Sequence, residues 1–357
     1  MKSQFLVGTY TDPELFGMGQ GYGGKAEGLY ICDFEEGRIT VKDLVKTVNP
    51  SFAAICEEKH RIYAVNELSE FLREEGGGLT EISYDNEGRF TVEGQFATGG
   101  TDPCHVAVSP GGDAVCVANY SSGKVTSFPL NAAGRITGER TVIGHHGHGP
   151  HPVRQAGPHA HSILFDGPDT LYAVDLGLDQ LKRYRLESGK IVPDESGTIA
   201  MAPGSGPRSG AWDRNRNNLY VTNELGSSIT RLTREKGRLK IAETVSTLPA
   251  GAEGENYCAD VSLAPDGRTL FASNRGHDSI AVFRVSQEGG LEAAGWYSCG
   301  GRWPRSIALD PGGKWLLAAN QFSDNITVFS IGEKGMLRQV SEAEIPTPVC
   351  VRFFMEK

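Results

Sequence analysis

The chain has 357 residues, with 44 acidic and 35 basic side chains and a formal charge of −9. That balance argues against a nucleic acid partner, because phosphate backbones are gripped by basic surfaces. The first ten residues lack the apolar stretch of an export signal, and no run approaches the roughly 18 apolar residues of a membrane helix, so a soluble cytoplasmic protein without a membrane partner is expected. Seven cysteines, odd in number and never spaced as C-x-x-C, fit free thiols in a reducing compartment, with Cys116 and Cys350 as small buried apolar residues.

Taken in chain order, Phe5-Leu6-Val7-Gly8-Thr9-Tyr10 reads as an apolar strand with no strand before it to pair with. The glycine-rich stretches Gly19–Gly24 and Gly76–Gly78 read as loops, since neither leads from a strand into a helix as a phosphate cradle needs. A full unit follows. Cys104–Val108 is a short strand, Pro110-Gly111-Gly112 a turn, and Ala114–Asn119 a continuous apolar strand buried on both faces. Lys124–Leu130 alternates, Asn131–Gly134 is a hairpin turn, and Thr141–Ile143 is an outer fourth strand. Four strands per unit make a propeller blade.

The same grammar recurs with apolar strands ending at Asn66, Asn119, Asp175, Asn223, Asn274 and Asn320, spaced 53, 56, 48, 51 and 46 residues apart. A period near that length without helical patterning between repeats indicates a radial β array. X-Pro steps open units at Pro50, Pro103, Pro158, Pro207 and Pro304, and the unit at Asn256-Tyr257-Cys258 lacks the proline. Thr347–Phe353 is a first strand with nothing after it, so joining it to the N-terminal strand completes a seventh blade and leaves no unpaired edge. The expectation is an all-β, seven-bladed β-propeller with four antiparallel strands per blade, residues 1–357 forming a single domain.

Blade geometry sorts the polar residues. Strand two returns the chain to where strand one began, so the start of first strands and the end of second strands share one end of each blade. His105, His159, His161, Arg208 and Arg305 stand at first-strand starts; Glu67, Asn119, Asp175, Glu224 and Arg275 stand at or just past second-strand ends. This places three histidines, three arginines and three carboxylates at one mouth of a central channel, where β architectures bind ligands. The strand-end Asn residues also suit turn fastening through side-chain to backbone bonds. Period-two spacing puts His159 and His161 on one strand face. The run Gly144-His145-His146-Gly147-His148-Gly149-Pro150-His151-Pro152 has neither metal-ligand spacing nor interleaved acids, and it reads as a flexible loop beside the mouth. No metal or other cofactor is expected.

Val7-Gly8-Thr9-Tyr10-Thr11, Asn49-Pro50-Ser51, Tyr63-Ala64-Val65-Asn66-Glu67, Val117-Ala118-Asn119-Tyr120, Arg154-Gln155 leading to Pro158-His159-Ala160-His161, Asp175-Leu176-Gly177-Leu178-Asp179, Gly204-Ser205-Gly206-Pro207-Arg208 and Asn223-Glu224-Leu225 together resemble the lactonase family of seven-bladed propellers. That family includes propeller-type 6-phosphogluconolactonases and the carboxy-muconate cyclase. The resemblance implies hydrolysis of a sugar-derived lactone, foremost 6-phosphogluconolactone, with water as nucleophile. It implicates His159, Arg208, Glu224 and Arg275 in the family's site, expected here to be catalytic, and His105, Asn119, Arg154, His161, Asp175, Arg305 and Glu67 are expected around the substrate. His159 would be the general base, Arg208 and Arg275 would hold the anionic group or oxyanion, and Glu224 would orient one of them. One departure stands out: many relatives follow Gly-Pro-Arg with His, where this chain has Ser209. A muconate-type lactonising cyclase and a non-catalytic ligand- or protein-binding propeller are the alternatives. A monomer or weak homo-oligomer is expected.

Overall fold

The computed structural model describes residues 2–14 and 23–355. Residues 19–22 of the first predicted glycine loop lie outside the described residues. Strands dominate: among the described residues there is no α-helix, and three single-turn 3₁₀ segments lie at Glu57–Lys59, Glu195–Gly197 and Glu333–Gly335. None of these helices is long and apolar enough to cross a membrane.

The described strands form seven antiparallel sheets of four core strands each, the blades of a seven-bladed β-propeller; in one blade the short strand Ile199–Ala200 adds a fifth by pairing with Gln180–Glu187, and Glu70–Phe71 with Glu74–Glu75 forms a separate hairpin. They divide between two compact units. The first unit takes residues 1–26, 30–44 and 207–357. It contains blade 1, in which the C-terminal strand Pro348–Phe353 pairs with Lys2–Thr9, followed by Leu29–Glu35 and Arg38–Val45. That pairing of the two chain ends supplies the composite blade expected from the sequence. Blade 5 (Pro207–Trp212, Asn218–Asn223, Ser228–Glu235, Arg238–Ser246), blade 6 (Tyr257–Leu263, Thr269–Arg275, Ser279–Val285, Leu291–Ser298) and blade 7 (Pro304–Leu309, Trp315–Asn320, Asn325–Ile331, Leu337–Glu344) complete the unit.

The second unit takes residues 27–29 and 45–206. It contains blade 2 (Ala53–Cys56, Arg61–Asn66, Gly78–Tyr84, Phe90–Ala97), blade 3 (Pro103–Val108, Ala114–Asn119, Lys124–Pro129, Thr141–Gly144) and blade 4 (Ala160–Phe165, Thr170–Asp175, Gln180–Glu187, Lys190–Pro193).

Second strands are the anchors. Ala114–Asn119 is buried at every position because a neighbouring blade covers each face, and Ala114, Cys116 and Ala118 pack on Ile163, Leu171 and Ala173 of blade 4. In the first unit Phe5 and Val7 pack in the same way on Leu317, Ala319 and Ile326 of blade 7. Each buried Leu, Ile or Phe contributes about 1.5–3 kcal/mol, so a one-residue slip of a second strand would forfeit several such terms. Fourth strands alternate instead, as in Arg238–Ser246, because one face meets water.

The strand-ending asparagines fasten the turn to the third strand. Asn119 Nδ2 donates to the Lys124 carbonyl at 3.1 Å and to Thr126 Oγ1 at 3.2 Å. Asn223 reaches Ser228 and Thr230, and Asn320 reaches Thr327 and the Cys299 carbonyl.

Candidate functional site

Within each blade the start of strand one sits opposite the end of strand two: Pro103 pairs with Asn119, Ala160 with Asp175, Pro207 with Asn223, Tyr257 with Arg275 and Pro304 with Asn320. In four of them the register then slips at once, and in blade 6 it slips after one further pair, Cys258 with Asn274, a β-bulge in the first strand each time. A bulge re-aims the side chain it frees. The residues in this slot are Cys104, His161, Arg208 and Arg305, with Ala259 and Asp260 together in blade 6. The residue two before the slot has positive φ at Asp102, Gly206 and Trp303, uncommon for non-glycine residues.

In the first unit, Glu224 follows Asn223 directly and ties two arginines. Its Oε2 lies 2.9 Å from Arg208 Nε and accepts Arg275 Nη2 at 2.6 Å. Arg208 Nη1 also donates to the Ala259 carbonyl at 2.8 Å, and Arg275 Nε to the Tyr257 carbonyl at 3.2 Å. The Arg275 guanidinium lies 5.5 Å from the centre of the Trp303 ring, and Arg305 lies equally far from that of Tyr10. Side-chain exposures are 7% for Arg208, 3% for Glu224 and 1% for Arg275.

Withdrawal from water pushes Arg275 down from 12.5 to about 10; Glu224 opposes the shift, while Arg208 and Arg305 add to it by repulsion. Asp260 was not singled out in the sequence, because its blade opens without proline. Its carboxylate accepts Ser209 Oγ and Ser306 Oγ, each at 3.1 Å, and the Val261 and Ile307 amides. Three guanidiniums thus stand with two carboxylates, a cationic surplus.

In the second unit, His159 lies in the loop before its strand, because the first strand of blade 4 begins at Ala160. The expected alternation of His159 and His161 on one strand face is therefore corrected: a bulge separates Ala160 from Ser162 and turns His161 independently. Both rings nevertheless meet Tyr120, His159 stacked at 4.5 Å between centroids and His161 edge-on at 5.6 Å. Tyr120, adjacent to Asn119, is a site component the sequence reading missed. His159 Nδ1 lies 3.0 Å from the Tyr120 carbonyl. A carbonyl only accepts, so Nδ1 carries a proton, and in the neutral ring the lone pair is then on Nε2. Arg154 Nη2 donates to Tyr120 Oη at 3.3 Å, from a turn in which His151 Nδ1 accepts the Val153 and Arg154 amides.

Asp175 is fully buried behind His159. Its Oδ1 accepts the His159 amide at 2.9 Å and the Leu178 amide at 3.0 Å, and its Oδ2 lies 2.5 Å from His145 Nδ1. The loop expected to be flexible is therefore pinned at both ends, by His145 and by Gln155, which donates to the Leu176 carbonyl at 2.8 Å. Among the described residues no three His, Cys, Asp or Glu side chains group as metal ligands.

The remaining candidates are tied into the scaffold. His105 Nδ1 accepts the Ile163 amide at 3.3 Å and its ring packs on Phe52, joining first strands of neighbouring blades. Asn119 is buried with its amide group committed to the turn. Glu67 is half-buried, its main chain exchanging hydrogen bonds with Asn49. The described cysteines are all free, as expected.

A family model described as lactonase, 7-bladed beta-propeller, matches residues 4–353. The chain is 33% identical to a 6-phosphogluconolactonase of Bacillus subtilis over 310 residues, 84% of this chain and 83% of the relative. Among solved structures it is similar to the periplasmic gluconolactonase PpgL of Pseudomonas aeruginosa, with a TM-score of 0.88, 28% identity and 99% coverage of each chain. A protein from Lactobacillus plantarum matches with the same TM-score and identity, over 99% of this chain and 100% of that one.

Proposed function

The chain belongs to the lactonase family of seven-bladed β-propellers, and from that premise we propose that it hydrolyses 6-phospho-D-glucono-1,5-lactone to 6-phosphogluconate in the cytoplasm, with no metal. The observation that carries the chemistry is the tautomer of His159: with Nδ1–H committed to the Tyr120 carbonyl, Nε2 is the atom left to accept a proton. In the proposed step, Nε2 takes a proton from water as its oxygen adds to the lactone carbonyl. Collapse of the tetrahedral intermediate breaks the ring C–O bond, and the imidazolium returns the proton to the departing ring oxygen. Each proton transfer of this kind contributes about 10²–10⁴-fold.

The cationic surplus around Glu224 supports an anionic substrate. Arg208 and Arg305 occupy the same bulge slot and are assigned the phosphate, since a guanidinium binds it bidentately and keeps its charge. Arg275 is almost wholly buried and is assigned the holding of Glu224, which in turn fixes Arg208. Arg154, His161 and Tyr120 are assigned contacts to the sugar hydroxyls.

The Pseudomonas aeruginosa relative, titled a gluconolactonase, favours a second reading with an unphosphorylated lactone. A panel of freshly generated phosphogluconolactone, gluconolactone and muconolactone, followed by proton release with and without chelator, separates these. Acceleration greatest for the phosphorylated lactone and unaffected by chelator is expected. No acceleration of any lactone overturns the proposal, and loss of rate with chelator overturns its metal-free form.

A further inference from the structure

We infer that His145 and Tyr184, acting through Asp175, are positioning residues for His159; this rests on His159 being the base.

Three slots of the repeat are broken together in one place. Asp175 stands where blades 2, 3, 5, 6 and 7 have Asn. His145 follows the fourth strand of blade 3 and donates its amide to the carbonyl of the residue before the third strand, Gly123; the residues making the same bond elsewhere are Thr98, Met201, Thr247, Cys299 and Ile345. Tyr184 pairs with Leu171 on the third strand of blade 4, where blades 3, 6 and 7 have Phe128, Phe283 and Phe329. The repeat needs none of these exceptions, yet they touch one another. His145 Nδ1 lies 2.5 Å from Asp175 Oδ2 and its Nε2 lies 2.6 Å from Tyr184 Oη. His145 and Asp175 have side-chain exposures of 1% and 0%, and Tyr184 is 1% exposed.

Exchanging Asn for Asp reverses the polarity of the slot. An Asn side chain donates to the turn, as Asn119, Asn223 and Asn320 do, and the Oδ1 atoms of those three have no hydrogen-bond partner. A buried carboxylate only accepts, so it needs donors, and His145 supplies one while Tyr184 Oη orients its ring. The other oxygen then captures the His159 and Leu178 amides. The equivalent residues in blades 3 and 7 are held from the preceding blade instead: the Asp102 amide goes to the Leu68 carbonyl and the Trp303 amide to the Asp278 carboxylate, both residues having positive φ. His159 keeps ordinary φ and is held by the carboxylate. Displacing a reacting group by about 1 Å can cost 10²-fold in rate, so a rigid backbone under His159 matters to turnover.

The test compares His145→Leu, His145→Asn, Tyr184→Phe and His159→Ala by steady-state lactone hydrolysis and thermal midpoint. His145→Leu is expected to lower kcat about 10- to 100-fold with KM little changed. His145→Asn, which restores a donor facing Asp175, is expected to recover most of that loss, and Tyr184→Phe to lower kcat about threefold without unfolding. If His145→Leu folds with wild-type kcat, its role is structural and the inference fails. If it does not fold, Tyr184→Phe decides, an unchanged kcat overturning the inference. An inactive His159→Ala beside fully active His145 and Tyr184 variants defeats this inference alone. An active His159→Ala defeats the assignment of the base and this inference with it.

Discussion

Two buried ionic clusters in this chain balance their charge in opposite ways. Around Glu224 one carboxylate is shared by two guanidiniums, and a third arginine stands close enough to repel Arg275. Around Asp175 one carboxylate is surrounded by two backbone amides and one imidazole. The first cluster gathers more guanidiniums than carboxylates around Glu224, an arrangement that favours an anion. The second has its charge satisfied internally and spends that order on fixing a neighbouring histidine. Surplus charge suits recognition, and satisfied charge suits placement.

The largest expected effect comes from removing the shared carboxylate. Glu224→Gln leaves two buried cations facing each other and is expected to cost about 3–5 kcal/mol, read as a lower urea midpoint. A midpoint within experimental scatter of the wild type would show that the arginines are solvated and that there is no buried surplus.

Next in size is His159→Ala. Loss of the proton acceptor is expected to lower kcat about 10²–10⁴-fold while the thermal midpoint moves little. Equal falls in stability and rate would make His159 a packing residue.

Arg275→Met leaves Arg208 and Glu224 as a neutral pair, so it is expected to cost only about 1–3 kcal/mol, clearly less than Glu224→Gln. Its pH dependence has a definite sign. Burial lowers the folded value of Arg275 to about 10, so above that pH the unfolded chain binds the extra proton and the contribution of Arg275 to stability rises with pH. The stability difference between wild type and Arg275→Met is therefore expected to move in favour of the wild type between about pH 9 and 11. A difference that is flat across that range contradicts the depressed value.

Asn119→Ala should be the mildest of the stability changes, about 1–2 kcal/mol from its lost bonds to Lys124 and Thr126, with kcat retained. A selective loss of kcat would return Asn119 to the substrate.

Most of the fold was legible because each blade repeats the same local chemistry: an apolar second strand, a glycine turn and an asparagine that fastens the next strand. The register that aims side chains was not. Pro158 looks like the blade-opening prolines, yet it precedes its strand by two residues, so His161 rather than His159 shares the slot of Arg208 and Arg305. Bulges leave no mark in a single sequence, since they depend on pairing with a strand further along. Asp260 escaped notice for the same reason, lying with Ala259 in the bulge of a blade without proline. The pairing of His145 with Asp175 spans 30 residues and two blades, and only the folded chain brings them together.

In the proposed reaction the arginine cluster reads the phosphate while His159 performs the chemistry. The most direct measurement is kcat/KM of wild type, Arg208→Ala and His159→Ala on phosphorylated and unphosphorylated gluconolactone. Arg208→Ala is predicted to erase the preference for the phosphorylated lactone, and His159→Ala to lower both substrates equally and leave the preference intact. An Arg208→Ala enzyme that still prefers the phosphorylated lactone as strongly as the wild type would contradict it.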